Sequence, residues 1–219
     1  MKTLNKTLIA AATITTLGLA AAPTALALDA SASVATSYLW RGLDLGSGTP
    51  ALSADVSGST GGFSYGLWVS SGDTTAGTEY DLYASYGGEI GGLSYSLGRA
   101  QYNYPTTDDD ADAAGFQAGK AEDNIYSLSY AGVTATVYDA VDSDFDAAYN
   151  TLSFDLGPVG VLLGDHDNIL NDGTGEMSHV DLTYSVNDSL SFTVSTIISS
   201  SLPADETDTT VVASYALPF

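Results

Sequence analysis

Two segments of the chain decide the fold: Gly62-Phe63-Ser64-Tyr65-Gly66-Leu67-Trp68-Val69-Ser70 and Glu79-Tyr80-Asp81-Leu82-Tyr83-Ala84-Ser85-Tyr86. In both, large apolar or aromatic residues occupy every second position over most of the segment, and small or polar residues fill many of the places between them. A repeat of two residues is typical of a β-strand, because successive side chains point to opposite faces. Both segments are therefore predicted to be strands with one apolar and one more polar face.

The same alternation recurs along the chain and predicts ten further strands. They are Leu93–Leu97, Tyr126–Tyr130, Val133–Val137, Leu152–Leu156, Val180–Val186, Leu190–Val194, Val211–Phe219 and, more weakly, Val34–Arg41, Leu52–Val56 and Val159–Leu163. Merging or splitting the weak segments would give ten or fourteen strands instead of twelve. No segment beyond residue 28 shows helical periodicity, so the predicted class is all-β.

The connections alternate between tight and long. Turn-forming residues lie near 59–62, 87–92, 131–132, 157–158 and 187–189, and longer polar segments lie near 45–50, 72–77, 105–121, 141–146, 167–177 and 200–208. Since each strand reverses direction, all tight turns fall at one end of the sheet and all long loops at the other. This arrangement predicts an antiparallel transmembrane barrel of about twelve strands with short periplasmic turns and longer outer loops.

The two faces of the predicted strands suit a membrane barrel better than a soluble one. The polar face is mostly Ser, Thr and Gly, as in a lumen, where a soluble barrel would carry many Lys and Glu side chains. Aromatic residues near strand ends are predicted to form an interfacial girdle: Tyr38, Trp40, Tyr80, Tyr86, Tyr102, Tyr104 and Tyr138.

Composition excludes several classes of function. Among 219 residues, 27 are Asp or Glu and 5 are Lys or Arg, which gives a net charge of -22. A chain this acidic, without a basic cluster, is not expected to bind nucleic acid. The absence of cysteine removes disulfides, thiol catalysis and thiolate metal sites.

The first segment is predicted to be a cleaved secretory signal peptide. Lys2 and Lys6 precede an apolar run, and Ala25-Leu26-Ala27 gives a small-residue cleavage pattern. The expected domains are therefore a signal peptide over 1–27 and an outer-membrane barrel over 28–219. The final strand ends in Phe219, which resembles the C-terminal signal recognised by the outer-membrane barrel-assembly machinery. Outer-membrane lipid is the other expected partner.

The segment from Ser37 to Pro105 resembles the TorF-like or Gcw-chp family of bacterial proteins, to which a porin role is ascribed. The resemblance lies in Ser37–Gly42, Pro50–Leu52, Asp55, Gly62–Trp68, Glu79–Tyr83 and Tyr102–Pro105. Two positions depart from the family pattern, because Leu43-Asp44 and Ser53 replace a small hydroxyl residue and a Gln. The resemblance implies an outer-membrane barrel with a porin role and brings no catalytic residues.

Arg41 and Asp55 are the charged residues that the pattern places in the lumen on the first two strands. By alternation both face inward, and a hairpin near 46–49 would bring them opposite each other as an ion pair. A selective constriction is the alternative role for Arg41. The predicted lumen-lining residues are Arg41, Asp55, Glu79, Asp81, Asp155, His179 and Asp181.

The predicted function is a passive diffusion channel for small solutes that prefers cations, because the lumen and loops are acidic. The rival is a non-conducting barrel whose acidic loops bind a partner, a surface or divalent cations. His166, interpreted as a loop residue, and His179, interpreted as a lumen residue, could approach each other, but no hydrolase or EF-hand motif surrounds them. We therefore expect no enzyme activity, no cofactor and no metal centre.

Overall fold

A computed structural model of the chain describes residues 27–104, 121–141, 147–169, 175–202 and 209–218. These ranges contain fourteen strands: β1 (Ala27–Ala35), β2 (Leu39–Trp40), β3 (Leu43–Asp44), β4 (Ala51–Thr60), β5 (Phe63–Asp73), β6 (Gly77–Ile90), β7 (Leu93–Asn103), β8 (Ala121–Tyr130), β9 (Val133–Val141), β10 (Ala148–Leu156), β11 (Val159–Asp167), β12 (Met177–Ser185), β13 (Leu190–Ser200) and β14 (Thr210–Ala216). All except β2 and β3 join into one closed barrel, so the predicted twelve-stranded antiparallel barrel is confirmed.

Several sequence-based predictions lie outside the described residues. They are residues 1–26 of the predicted signal peptide, Phe219 and most acidic residues of the long loops, including Asp108–Asp110, Asp142–Asp146 and Asp205–Asp208. Within the described ranges, no helix has the length and hydropathy needed to cross a membrane.

The barrel is a simple meander whose closure depends on β1. Successive strands are hydrogen-bonded neighbours from β4 to β14, and β1 pairs with both β4 and β14. The β1–β4 register runs from Ala27↔Ser59 to Ala35↔Ala51. The closing β1–β14 seam is short, from Ser33↔Ala216 to Ala35↔Ser214. Backbone hydrogen bonds from Leu217 N to Ala32 O (2.9 Å) and from Thr36 N to Ala213 O (3.0 Å) extend it.

The tight turns lie where the sequence predicts them. In the turn between β4 and β5, Gly61 and Gly62 both have positive φ (56° and 86°), which a two-residue type I′ hairpin requires. The predicted long loop over 72–77 is wrong, because only three residues separate β5 from β6. The Asp73 side chain closes this turn by accepting the backbone N–H groups of Thr75 and Ala76, each at 2.7 Å.

The two faces of the wall have opposite chemistry. The outward face is apolar, and Leu52, Leu82, Leu97 and Leu128 are each about half exposed on it. The inward face is rich in small hydroxyl residues that bond across neighbouring strands. These pairs are Ser33–Ser53 (2.7 Å), Ser129–Thr134 (3.0 Å), Ser127–Thr136 (3.1 Å) and Thr183–Thr193 (2.9 Å). An apolar outer face and a polar lumen are the pattern of an outer-membrane-type barrel.

The predicted aromatic girdle is largely wrong. Tyr80 and Tyr86 do face outward and are exposed. The other five side chains lie inside the barrel: Tyr38, Trp40, Tyr102, Tyr104 and Tyr138. Tyr102 and Tyr138 have the parity of the polar face, and Tyr38 and Trp40 lie on a segment that leaves the wall. The interior is therefore more aromatic than the alternation predicts.

The second arginine of the described residues is on the outer face. Arg99 shares parity with the exposed Leu97, and its guanidinium bonds to the Glu122 carboxylate and to Asn124 Oδ1 (3.3 Å). Gln101 also donates to Glu122 (3.0 Å). This polar group occupies the loop-side half of β7 and β8, so the apolar outer surface is shorter there than on β6.

The assignment of faces gives a test of membrane burial. Leu182 lies midway along β12 on the outward face, where its register partners Val161 and Val194 are also apolar, and Leu156 lies on the same face at the turn end of β10. We expect Leu182→Arg to lower the free energy of unfolding by about 2–4 kcal/mol and Leu156→Arg by no more than about 1 kcal/mol, because a guanidinium costs most at mid-depth in the bilayer. Urea unfolding in phospholipid vesicles measures both. Equal costs would contradict this placement of the wall in the membrane.

Candidate functional site

A short hairpin inside the barrel is the most distinctive feature of the structure. Residues 36–50 connect β1 to β4, and within them β2 pairs with β3 through Leu39↔Asp44 and Trp40↔Leu43. Arg41 and Gly42 form its turn and both have positive φ (47° and 88°). Such a φ is uncommon for a residue with a side chain, so neighbouring contacts must hold Arg41 in place. We call residues 36–50 the constriction hairpin.

This hairpin overturns the predicted strand Val34–Arg41. The wall strand is β1, which ends at Ala35, and the chain then leaves the wall. The base of the hairpin is tied down by its own polar groups: Ser37 Oγ donates to the Asp44 carboxylate, and Asp44 Oδ1 accepts Gly46 N (3.1 Å). Leu45 O accepts Thr74 N (3.1 Å) from the turn between β5 and β6. These bonds fix how the hairpin enters the lumen.

Arg41 lies at the tip and binds the opposite wall. Its guanidinium forms an ion pair with Asp123 on β8 and donates to the Tyr102 hydroxyl on β7 (2.9 Å). The Tyr102 hydroxyl in turn donates to the same Asp123 carboxylate (2.9 Å). Both charged side chains are about nine-tenths buried. Burial opposes the charge of Arg41, but Tyr102 and Asp123 outweigh it and raise the Arg41 pKa above its usual range, so the guanidinium stays charged.

Aromatic rings complete the environment of the Arg41 guanidinium. Its central carbon lies 4.6 Å from the ring centre of Tyr138, 4.8 Å from Trp40 and 5.0 Å from Tyr149. A desolvated cation is attracted to the faces of such rings. The backbone carbonyl of Arg41 also accepts a hydrogen bond from His166 Nε2 (2.9 Å). The tip is thus held through its side chain and its backbone at once.

A second contact holds the hairpin nearer its base. The Tyr38 hydroxyl donates to Glu79 Oε2 (2.6 Å), and the Tyr104 hydroxyl donates to Glu79 Oε1 (2.8 Å). The Tyr38 ring packs against Trp68 with centroids 6.0 Å apart. Burial and then the Glu79 charge raise the pKa of Tyr38 well above its usual range, so Tyr38 remains a donor. The hairpin is anchored on β6 as well as on β8.

Two histidines support the far side of the hairpin. His179, which is fully buried, bonds to Asp181 Oδ1 through Nδ1 (2.9 Å) and to the Tyr149 hydroxyl through Nε2 (2.9 Å). Its ring packs so closely on the tip that a Cβ at Gly42 would lie 2.5 Å from His179 Cγ. Glycine at position 42 therefore allows both the positive φ of the turn and the close approach of the His179 ring.

The interpretation of His166 as a loop residue is wrong. His166 is a buried residue of β11, and its ring centre lies 6.2 Å from that of His179. Both nitrogens of His179 and Nε2 of His166 bond to protein groups. Among the described residues, no cluster of three or more His, Asp or Glu side chains has the geometry to hold a metal ion.

The seven predicted lumen residues all lie on the inward side, but not with the predicted partners. Glu79 and Asp81 are buried on β6, His179 and Asp181 lie on β12, and Asp155 is exposed near the turn end of β10. The Arg41–Asp55 ion pair is wrong. Asp55 is opposite Ser31 on β1 and accepts the Tyr83 hydroxyl (2.6 Å), because Arg41 is carried across the lumen on the hairpin.

Sequence reasoning missed Asp123, Tyr102, Tyr149 and the buried position of His166. For Asp123 a signal was present: the outward residues Tyr126, Leu128 and Tyr130 alternate with it, which places Asp123 on the inward face of β8. The parity of Tyr102 and Tyr149 gives the same information. The alternation of faces along a strand cannot predict the hairpin that brings these residues together.

The clamp at the tip gives a second prediction. We expect Arg41→Ala or Asp123→Ala alone to lower the free energy of unfolding by about 3–5 kcal/mol, because each leaves a buried charge unpaired. The double variant should recover at least about 1 kcal/mol relative to the sum of the single changes. Pairing Arg41→Ala with Asp55→Ala is the matched control, and there the effects should add within about 0.5 kcal/mol. Coupling to Asp55 instead of Asp123 would contradict the structure.

Comparisons with known proteins address the family and the fold. No curated protein matches the chain. Among solved structures, it is similar to outer membrane phospholipase A from Escherichia coli at 10% sequence identity, with a TM-score of 0.47 over 91% of this chain and 93% of that one. A family model described as "Bacterial protein of unknown function (Gcw_chp)" matches residues 19–197. That match covers most of the sequence, and the chain therefore belongs to the Gcw_chp family.

Proposed function

We propose that this barrel is a narrow diffusion channel of the bacterial outer membrane that passes small cations in preference to anions. The observation that carries the proposal is the constriction hairpin, which crosses a polar lumen and reaches the opposite wall at Asp123. A solute that crosses the barrel must pass between this hairpin and the wall. The limit on solute size is therefore set by the hairpin.

Cation preference is supported by the balance of charge inside the wall. Arg41 is the single Arg or Lys side chain that the described residues place in the lumen, and Asp123 neutralises it. Arg99 faces outward. Five further inward carboxylates have no arginine or lysine partner within the described ranges: Asp55, Glu79, Asp81, Asp155 and Asp181. Rings of carboxylates favour cation passage.

Location in the outer membrane is part of the same proposal. It is supported by the apolar outer face and by the tight turns at one end and the longer connections at the other, features of outer-membrane barrels. Export by the predicted signal peptide and recognition of the C-terminal segment by the barrel-assembly machinery belong to the proposal as expectations from the sequence.

Planar-bilayer recording with a salt gradient tests the channel. We expect a reversal potential whose sign shows that potassium permeates more readily than chloride. Silence would reject the channel and favour the rival role, a barrel whose acidic loops bind a partner. A preference for anions would reject the proposed cation preference but not the channel itself.

The role of the hairpin gives a third prediction. Ala35 and Ala51 are register partners, so Asn-Gly can replace residues 37–49 and join β1 to β4 directly. We expect single-channel conductance to rise several-fold in this variant, because the obstacle in the lumen is removed. Gly42→Val is the matched variant of full length, since its side chain would displace the tip from His179. Its conductance should lie between those of the wild type and the deletion. Unchanged conductance in the deletion would show that the hairpin is not the constriction.

A further inference from the structure

A buried carboxylate on β6 has an oxygen atom with no hydrogen-bond partner. Asp81 is only 4% exposed, and its Oδ1 has no partner among the described residues. Burying a charged oxygen without a partner is costly, so native structures almost always supply one. Asp81 lies on the inward face, with Trp68 and Tyr102 as its register partners on β5 and β7.

A second buried carboxylate next to Asp81 increases the free-energy cost of burying it. Glu79 is two residues earlier on the same face and is 1% exposed. Its two oxygens accept the hydroxyls of Tyr38 and Tyr104, which are neutral donors and bring no counter-charge. Neither Glu79 nor Asp81 forms an ion pair within the described ranges, and Arg41 is bound to Asp123. Two buried carboxylates therefore lie side by side without a counter-charge in direct contact.

We propose that Glu79 and Asp81 form a binding site for a small monovalent inorganic cation of the sodium or potassium class. The proposal rests on the proposed cation channel and assigns the place where a permeating ion stops. Hard oxygen ligands suit such ions, and the unpartnered Asp81 Oδ1 supplies one. Two carboxylates of the wall lie at this site, and the described residues contain no group of three or more that could hold a metal ion. Sites for divalent cations usually contain more carboxylates than this. Weak binding by few charges also suits an ion that must leave again.

The position of the site fits this role. Glu79 is also the anchor of the constriction hairpin through Tyr38. An ion held at Asp81 would therefore lie beside the narrow zone, between the base of the hairpin and the wall of β6. The competing explanation is a proton shared by the two carboxylates, which would neutralise one charge without any ion.

Intrinsic fluorescence tests the site without measuring current. The chain has two tryptophans, Trp40 and Trp68, and Trp68 is directly opposite Asp81 in the barrel register. In a Trp40→Phe background, the full barrel in detergent is titrated with NaCl or KCl that replaces N-methyl-D-glucamine chloride at constant ionic strength and pH. We expect a saturable change in Trp68 emission. Asp81→Asn should weaken the apparent affinity at least about tenfold, as the loss of one charged ligand predicts.

Asp55→Asn is the matched control, because Asp55 is also an inward aspartate but its carboxylate accepts the Tyr83 hydroxyl. It should titrate like the parent. No saturable change in the parent, or equal affinity in Asp81→Asn and the parent, would overturn the site. In a separate pH titration without added sodium or potassium, a change in Trp68 emission together with no response to the cation would assign the shared proton instead. If Asp81→Asn does not fold, Glu79→Gln is used in its place with the same expectation.

Bilayer recording of the same proteins separates the site from the channel. Saturable binding by a barrel that carries no current would support the cation site and refute the channel. Cation-selective current without saturable binding at Asp81 would refute the site and support the channel.

Discussion

Closure of the hydrogen-bond ladder between β1 and β14 is the constraint on which the rest of this structure depends. In a membrane, an open sheet edge would leave backbone N–H and C=O groups without partners, and lipid cannot supply any. Once the ladder closes, every residue of the wall faces either outward or into the lumen. The alternation of two then dictates chemistry: apolar side chains such as Leu82 face outward, and hydroxyl pairs such as Thr183–Thr193 bond across the inward face.

The constriction hairpin follows from the same closure. β1 and β4 are wall neighbours, so the fifteen residues between them are far more than a turn needs. The excess folds into the lumen, where Tyr38 and the Arg41 side chain are buried and their polar groups therefore need partners from the protein. Asp123, Tyr102 and His166 supply them for Arg41, and Glu79 does so for Tyr38. The aromatic interior is thus the binding surface for a segment of the chain itself, and the positive φ of Arg41 persists because all these contacts act on one residue.

Alternation in the sequence is enough to predict the number of wall strands, the position of eleven of them, the tight turns and the inward position of most lumen residues, because a one-residue slip would turn a strand inside out. Alternation fails where a segment has the local pattern of a strand but does not lie in the barrel wall. Val34 to Arg41 alternates well enough to predict a strand, yet the chain leaves the wall after Ala35. Asp55 then lacks its predicted arginine, and Tyr102 and Tyr138 become lumen residues. No local pattern shows that Arg41 crosses the barrel to Asp123, since that contact joins residues 82 apart in sequence.

The register of β7 also explains why the lumen stays acidic. Arg99 is the register partner of Asn124 on the outer face, while Ala100, one position later, is the inward partner of Asp123. A shift of one residue would place this second guanidinium on the lumen side, where it would neutralise one of the carboxylates. Instead Arg99 bonds to Glu122 on the loop-side half of the outer wall, where a charged pair costs less than at mid-depth. The net charge of the lumen therefore depends on strand register as well as on composition.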